Sequence, residues 1–383
     1  MVSTADDLKQ HFNLDPKVTF LNHGSFGACP KPVFDEWQRW QAEMERQPVE
    51  FIGRRQEGLL DDARAVLASY VGCDADDLTF VTNSTAAINI IARSLDLQPG
   101  DEVLSTNLEY GALNYTWEYL CQKAGAKYVQ QSITLPVTTR EAIVEELWQG
   151  VTERTKAIFL SHITSATALI LPVEEICARA REEGILTIID GAHVPGQIPL
   201  DISSLGADMF AGNCHKWMCA PKGSAFLYVS KQHQHWVESG IISWGWHPEN
   251  TFVTRNQMQG TRDVSPFLTV PTAIEWQRQH DWDAVRERCH LQLVAFIEDI
   301  HDILGTEPIY ADDTWYAQLA VITLPSGDHA GLKERLMDRG IEIPVTEHLD
   351  RTFVRVSVQG YVSDAELNRL RQGLQEEYPV SPR

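Results

Sequence analysis

Between Asp77 and Val229 short apolar runs alternate with amphipathic stretches, and no other feature constrains this chain as strongly. Short runs of that kind read as parallel strands, and amphipathic stretches between them read as the crossover helices that parallel pairing requires. The strand candidates are Leu78–Val81, Glu102–Ser105, Lys127–Val129, Ala157–Leu160, Leu186–Ile189, Met209–Ala211 and Ala225–Val229. Helical patterns fall at Thr85–Ser94, Ala112–Ala124, Arg140–Trp148 and Val173–Glu183, the last closed by Gly184 as a C-terminal stop. The expected fold is α/β, with a mostly parallel seven-stranded sheet flanked by helices.

After Pro271 the pattern changes to a long helical region through Ile303, then strands near Gln318–Leu324, Ile341–Pro344 and Phe353–Val358. A helix near Leu332–Arg339 and a last one from Ser363 complete a smaller α+β unit. At 383 residues the chain exceeds one small core. The expected organisation is an N-terminal arm (1–72) packing on both units, a large domain (73–270) and a small C-terminal domain (271–383).

A formal net charge of −21 repels polyanions, and the longest cationic cluster is Arg54-Arg55, so nucleic acid and anionic membrane are excluded as partners. Seven cysteines without paired spacing predict a reducing, cytoplasmic setting and no metal site. Met1 to Leu14 lacks the apolar centre of a secretory signal, and no later stretch reaches transmembrane length.

Chemistry concentrates at three strand ends. In Asp208-Met-Phe-Ala-Gly-Asn-Cys-His-Lys216-Trp-Met-Cys-Ala-Pro-Lys-Gly223, a polar turn carries Lys216, and lysine is the side chain that condenses with an aldehyde cofactor. Asp190, after Leu186-Thr-Ile-Ile, offers a carboxylate for a protonated pyridine nitrogen. Thr82-Asn83-Ser84-Thr85-Ala-Ala opens a helix with free N–H groups and hydroxyls suited to a phosphate. Each has a blander meaning alone: a solvated turn lysine, or a helix N-cap for Asp190 and for the Ser84 segment. Together, in this chain order, they describe a phosphate cup, a pyridine-nitrogen partner and an aldehyde lysine along one sheet edge.

This ordered set, with Phe20-Leu-Asn-His-Gly-Ser-Phe-Gly and Gly212-Asn-Cys-His-Lys-Trp, resembles the class V aminotransferase superfamily and its isopenicillin N epimerase-like branch. The resemblance implies the fold type I architecture of enzymes that use pyridoxal 5′-phosphate (PLP), with Lys216, Asp190 and Tyr110 as catalytic residues. Tyr110 takes the place of the ring that stacks on the cofactor. Asn83, Ser84, Thr85, Ser165, His193, Asn213 and His215 are implied as further cofactor contacts, and Thr261 as a contact to the phosphate of a neighbouring subunit. A homodimer with shared active sites follows from that last role.

Arg355 matches the arginine that grips a substrate α-carboxylate, and Asn22, His23, Arg54 and Arg55 are candidates for the rest of the substrate. A surface salt bridge explains the Arg54-Arg55 pair equally well. The implied activity is on an amino acid at Cα: epimerisation first, then C–S β-elimination, then transamination, with a non-catalytic homologue last. A persulfide-forming desulfurase is disfavoured because no cysteine follows Cys289.

Overall fold

The computed structural model describes residues 3–379; the extreme ends of the expected arm and C-terminal unit, 1–2 and 380–383, lie outside the described residues. The arm contributes a two-residue strand, β1 (Thr19–Phe20), and two long helices, Lys31–Arg46 and Gln56–Val71. The apolar runs that follow become β2 (Leu78–Val81), β3 (Glu102–Thr106), β4 (Lys127–Gln131), β5 (Thr155–Ser161), β6 (Leu186–Gly191), β7 (Met209–Asn213) and β8 (Ala225–Val229). They form one sheet in the order β2-β8-β7-β6-β5-β3-β4. Only β8 runs antiparallel to its neighbours, so the expected mostly parallel seven-stranded sheet is what the chain builds.

Successive side chains along a strand point to opposite faces, and here the two faces have different cores. Val103, Ala157, Phe159, Ile188, Met209 and Ala211 pack with Ile88 and Ile91 of the helix Ser84–Ser94 and with Leu113 and Trp117 of the helix Gly111–Ala124. Leu104, Ile158, Leu160, Ile189 and Phe210 join the opposite core, with Ile143 and Leu147 of the helix Arg140–Trp148 and Ile176 of the helix Val173–Glu182. Burial on both faces explains the continuous apolar runs.

In the C-terminal part, helices Val270–Gln279 and Trp282–Leu304 precede β9 (Leu319–Thr323), β10 (Ile341–Glu342), β11 (Val345–His348) and β12 (Arg351–Ser357). β12 lies between β11 and β9 in a three-stranded antiparallel sheet. The expected strand at Ile341–Pro344 needs correction: it is only two residues long and pairs in parallel with β1 of the arm. Pro344, which has no N–H to donate, ends it. The missed β11 joins β12 through Leu349 and Asp350, both with positive φ (51° and 58°), a hairpin turn made without the Asn-Gly signal that usually marks one.

The arm is seated on the lysine turn by a close approach at Gly27. Its φ is +72°, and a Cβ there would stand 2.0 Å from the His215 carbonyl oxygen. Only glycine tolerates both conditions.

Candidate active site

The carboxyl ends of β2, β3, β5, β6 and β7 surround a cavity of about 460 Å³, within the range of small-molecule sites. Asn83, Ser84 and Thr85 reach it from β2, Tyr110 from β3, Ser161 and Ser165 from β5, Asp190 and His193 from β6, and Asn213, His215 and Lys216 from β7. Arg355 enters from β12, while Ser25 and Phe26 arrive on a short helix of the arm (His23–Phe26). Eleven of the residues singled out in the sequence therefore share one concavity.

Asp190 is 3% exposed and accepts a hydrogen bond from the Ala192 N–H at 3.0 Å. Burial raises the pKa of its carboxyl and lowers that of the Lys216 amine, while attraction between the two opposes both shifts. Lys216 is thus held closer to the neutral amine than a surface lysine is. Its Nζ lies 3.1 Å from His193 Nε2. His215 donates from Nδ1 to the Ser224 carbonyl at 2.9 Å, and burial brings its pKa down to about 4.

In the same cavity, Asn83 caps the helix Ser84–Ser94 by accepting from Ala86 N–H at 2.8 Å. Asn213 Oδ1 accepts from Ser84 N–H at 2.9 Å, so this asparagine shapes the cup as well as lining it. Ser84 Oγ is buried without a hydrogen-bond partner among the described residues. A buried hydroxyl at a positive helix end, beside an amine and a buried carboxylate, has the donors and charges that PLP requires. The residues present fit that cofactor: Ser84 and Thr85 for its phosphate, Asp190 for its ring nitrogen and Lys216 for its aldehyde.

Arg355 is 5% exposed. Its Nη1 donates to the Ser165 carbonyl at 2.6 Å and lies 3.3 Å from Ser165 Oγ, and Nη2 donates to Ser25 Oγ at 3.0 Å. Ser165, expected as a cofactor contact, lines the cavity and also anchors this guanidinium. Ser25 does the same, and neither it nor Phe26 was singled out as a site residue, although both stand in the Phe20–Gly27 motif. Glu109 was also missed. It is 4% exposed, accepts from Ser161 N–H at 2.7 Å, Ser161 Oγ at 2.6 Å and Thr106 Oγ1 at 2.6 Å, and its pKa is pushed up by burial to about 7.

Four expected substrate contacts do not reach the cavity. Arg55 is held 2.6 Å from Glu43 and stands over the Phe51 ring, an ion pair within the arm, and Arg54 is exposed beside it. Asn22 is buried, donating to Glu342 at 3.0 Å and accepting from Ser25 Oγ at 2.5 Å. His23 is wholly buried behind the lysine turn. Its Nε2 lies 3.0 Å from both the Lys216 carbonyl oxygen and the Gln359 side-chain nitrogen, and its Nδ1 lies 3.0 Å from the Tyr361 hydroxyl. Burial takes its pKa down to about 3, so it orients the turn as a neutral ring. Thr261 is exposed and lies outside the cavity of its own chain.

Comparison with known proteins agrees with this architecture. The chain is 36% identical to an isopenicillin N epimerase of Amycolatopsis lactamdurans, over 98% of this chain and 99% of that one. It is 31% identical to an isopenicillin N epimerase of Streptomyces clavuligerus, over 97% and 98% of the two chains. A cysteine desulfurase of Thermococcus onnurineus NA1 superposes with a TM-score of 0.84 at 19% identity, covering 99% of both chains, which shows the fold. The family model described as aminotransferase class-V matches residues 29–370, and the chain belongs to that family.

Proposed function

We propose that this chain is a PLP-dependent amino-acid epimerase of the isopenicillin N epimerase kind, acting at the substrate Cα. One observation carries the reading: Lys216 and Tyr110, two side chains able to carry a proton, line one cavity from β7 and β3, with β6 and β5 between those strands. Inversion needs one group to remove the Cα proton and another to return a proton from the opposite face. The near full-length likeness to two isopenicillin N epimerases supports the same assignment.

When bound, PLP supplies an aldehyde for the substrate amine and a pyridine ring that draws electron density from Cα. Asp190 keeps that ring nitrogen protonated from a buried position, where its charge is weakly screened. Arg355, fixed by Ser165 and Ser25, grips the α-carboxylate. Lys216, favoured as the neutral amine, takes the Cα proton, and the Tyr110 hydroxyl returns one. Phe26 (72% exposed) and Tyr110 (45% exposed) give the cavity an aromatic mouth for the substrate side chain.

The acting unit is a homodimer in which Thr261 completes the partner's phosphate site, and the setting is cytoplasmic. Exposed Ile242, Trp244 and Trp246 on the preceding loop support the first reading, and seven free thiols support the second. Among the described residues, no helix is long and apolar enough to cross a membrane.

C–S β-elimination is the second reading, supported by a putative L-cysteine desulfhydrase 1 of Oryza sativa subsp. japonica that is 29% identical over 80% of this chain. None of the seven cysteines lines the cavity, so elimination without persulfide transfer is the form such an activity takes here. An amino-acid panel run in heavy water, scored for Cα deuteration, chirality and pyruvate, decides between them. In the epimerase, Tyr110→Phe keeps exchange through Lys216 and loses inversion. Undiminished inversion in that variant, or pyruvate as the dominant product, overturns the proposal.

A further inference from the structure

Trp217 adjoins Lys216 in sequence, yet it is fully buried and does not line the cavity. Its indole N–H donates to Nδ1 of His193 at 3.3 Å. An indole nitrogen only donates, so Nδ1 of His193 must present a lone pair. His193 is itself 2% exposed, and burial holds it well below the ordinary histidine range, as a neutral ring with one proton. That proton is left to Nε2, the atom 3.1 Å from the Lys216 amine. An ammonium at Nζ would set N–H against N–H at that contact. A neutral amine presents its lone pair to the His193 N–H instead.

We propose that Trp217 is a positioning residue: by holding His193 in the Nε2–H tautomer, it keeps Lys216 of the cofactor-free protein as the neutral amine that condenses with an aldehyde. The inference rests on the reading of Lys216 as the cofactor lysine and adds how that lysine is kept reactive. The charged neighbours do not fix the same outcome. Asp190 favours the ammonium, while Arg355 and burial oppose it. Around His193 stand Lys216, Arg355, His23 and His215, and Lys222 acts on the last two. Neither other histidine can substitute, because His23 faces the Lys216 carbonyl and His215 faces the Ser224 carbonyl. Among the described residues, His193 makes the one hydrogen bond to Nζ.

The test uses cofactor-free protein labelled with 15N-histidine, and 15N NMR reads the His193 tautomer directly. Wild type should show a protonated Nε2 and a bare Nδ1. Trp217→Phe retains an aromatic ring without the N–H and should give a tautomer mixture. In parallel, the pH dependence of arylation at Lys216, followed by peptide mapping, should shift upward by about one unit in that variant. Labelling at neutral pH would then be about five- to tenfold slower, with the alkaline plateau unchanged. An Nδ1–H tautomer in wild type overturns the proposal even if the variant does not fold, and so does an unshifted labelling profile in a folded variant. Borohydride trapping of PLP on wild type is the separate check on Lys216: label on another lysine refutes the cofactor assignment and leaves the tautomer result to be read by itself.

Discussion

Replacing Arg355 by lysine isolates what the guanidinium contributes beyond its charge. The native side chain is 5% exposed, and its plane is fixed by the Ser165 carbonyl at 2.6 Å and Ser25 Oγ at 3.0 Å. Burial lowers its pKa to about 10, so it remains cationic at neutral pH. A lysine keeps a positive charge but presents it as a point, without the planar fork that meets both oxygens of a carboxylate. Loss of one charge-assisted bond costs about 1.5–3 kcal/mol, or roughly ten- to hundredfold in kcat/KM at about 1.4 kcal/mol per decade. The loss should appear only for substrates bearing an α-carboxylate, so the assay compares an amino acid with its decarboxylated amine in Cα–H exchange. In Arg355→Lys the preference for the acid should shrink by that factor while PLP stays bound. An equal loss for acid and amine, or none for the acid, refutes the carboxylate role.

Lys216→Ala should abolish the near-visible band of bound cofactor while far-UV circular dichroism is retained; borohydride label on Lys222 in wild type would contradict the assignment. Thr261→Ala should weaken PLP retention roughly two- to tenfold, the worth of one hydrogen bond, and leave affinity for unphosphorylated pyridoxal unchanged. Sedimentation of the PLP-loaded protein should find a dimer, and a fully active monomer would exclude a shared site. Glu109 has a raised folded pKa, so the native state holds its proton more tightly than the unfolded chain does, and its contribution to stability falls as pH rises from about 4.5 to about 7. Denaturant melts of wild type and Glu109→Gln across that window should therefore show wild type losing ground with rising pH, and a constant difference would refute it.

The cofactor chemistry was legible in the chain because its parts are local. A strand, a capped turn and a helix follow from apolar runs and polar punctuation, and each of Ser84, Asp190 and Lys216 sits within about three residues of the end of its own strand. Parallel pairing then gathers successive strand ends on one edge of the sheet, so chain order translated into a shared cavity. The mostly parallel sheet followed from the same periodicity, because burial on both faces leaves its mark on every residue of a strand.

Contacts between distant segments carry no such mark, and these only the folded molecule decided. Arg55 and His23 were attractive as ligands by residue type, but a salt bridge to Glu43 claims one, and the Lys216 carbonyl with Tyr361 claims the other. Nothing near Ser165 or Ser25 foretells that both hold Arg355, since one follows β5, one belongs to the arm and the arginine stands on β12. The ring proton of His193 is set by the indole of Trp217, a residue on a different strand turn. Residue type and spacing specify which groups can ionise or donate. Which partner each donor meets, and so which proton sits on which nitrogen, depends on distances of a few ångströms that exist only once the segments have packed.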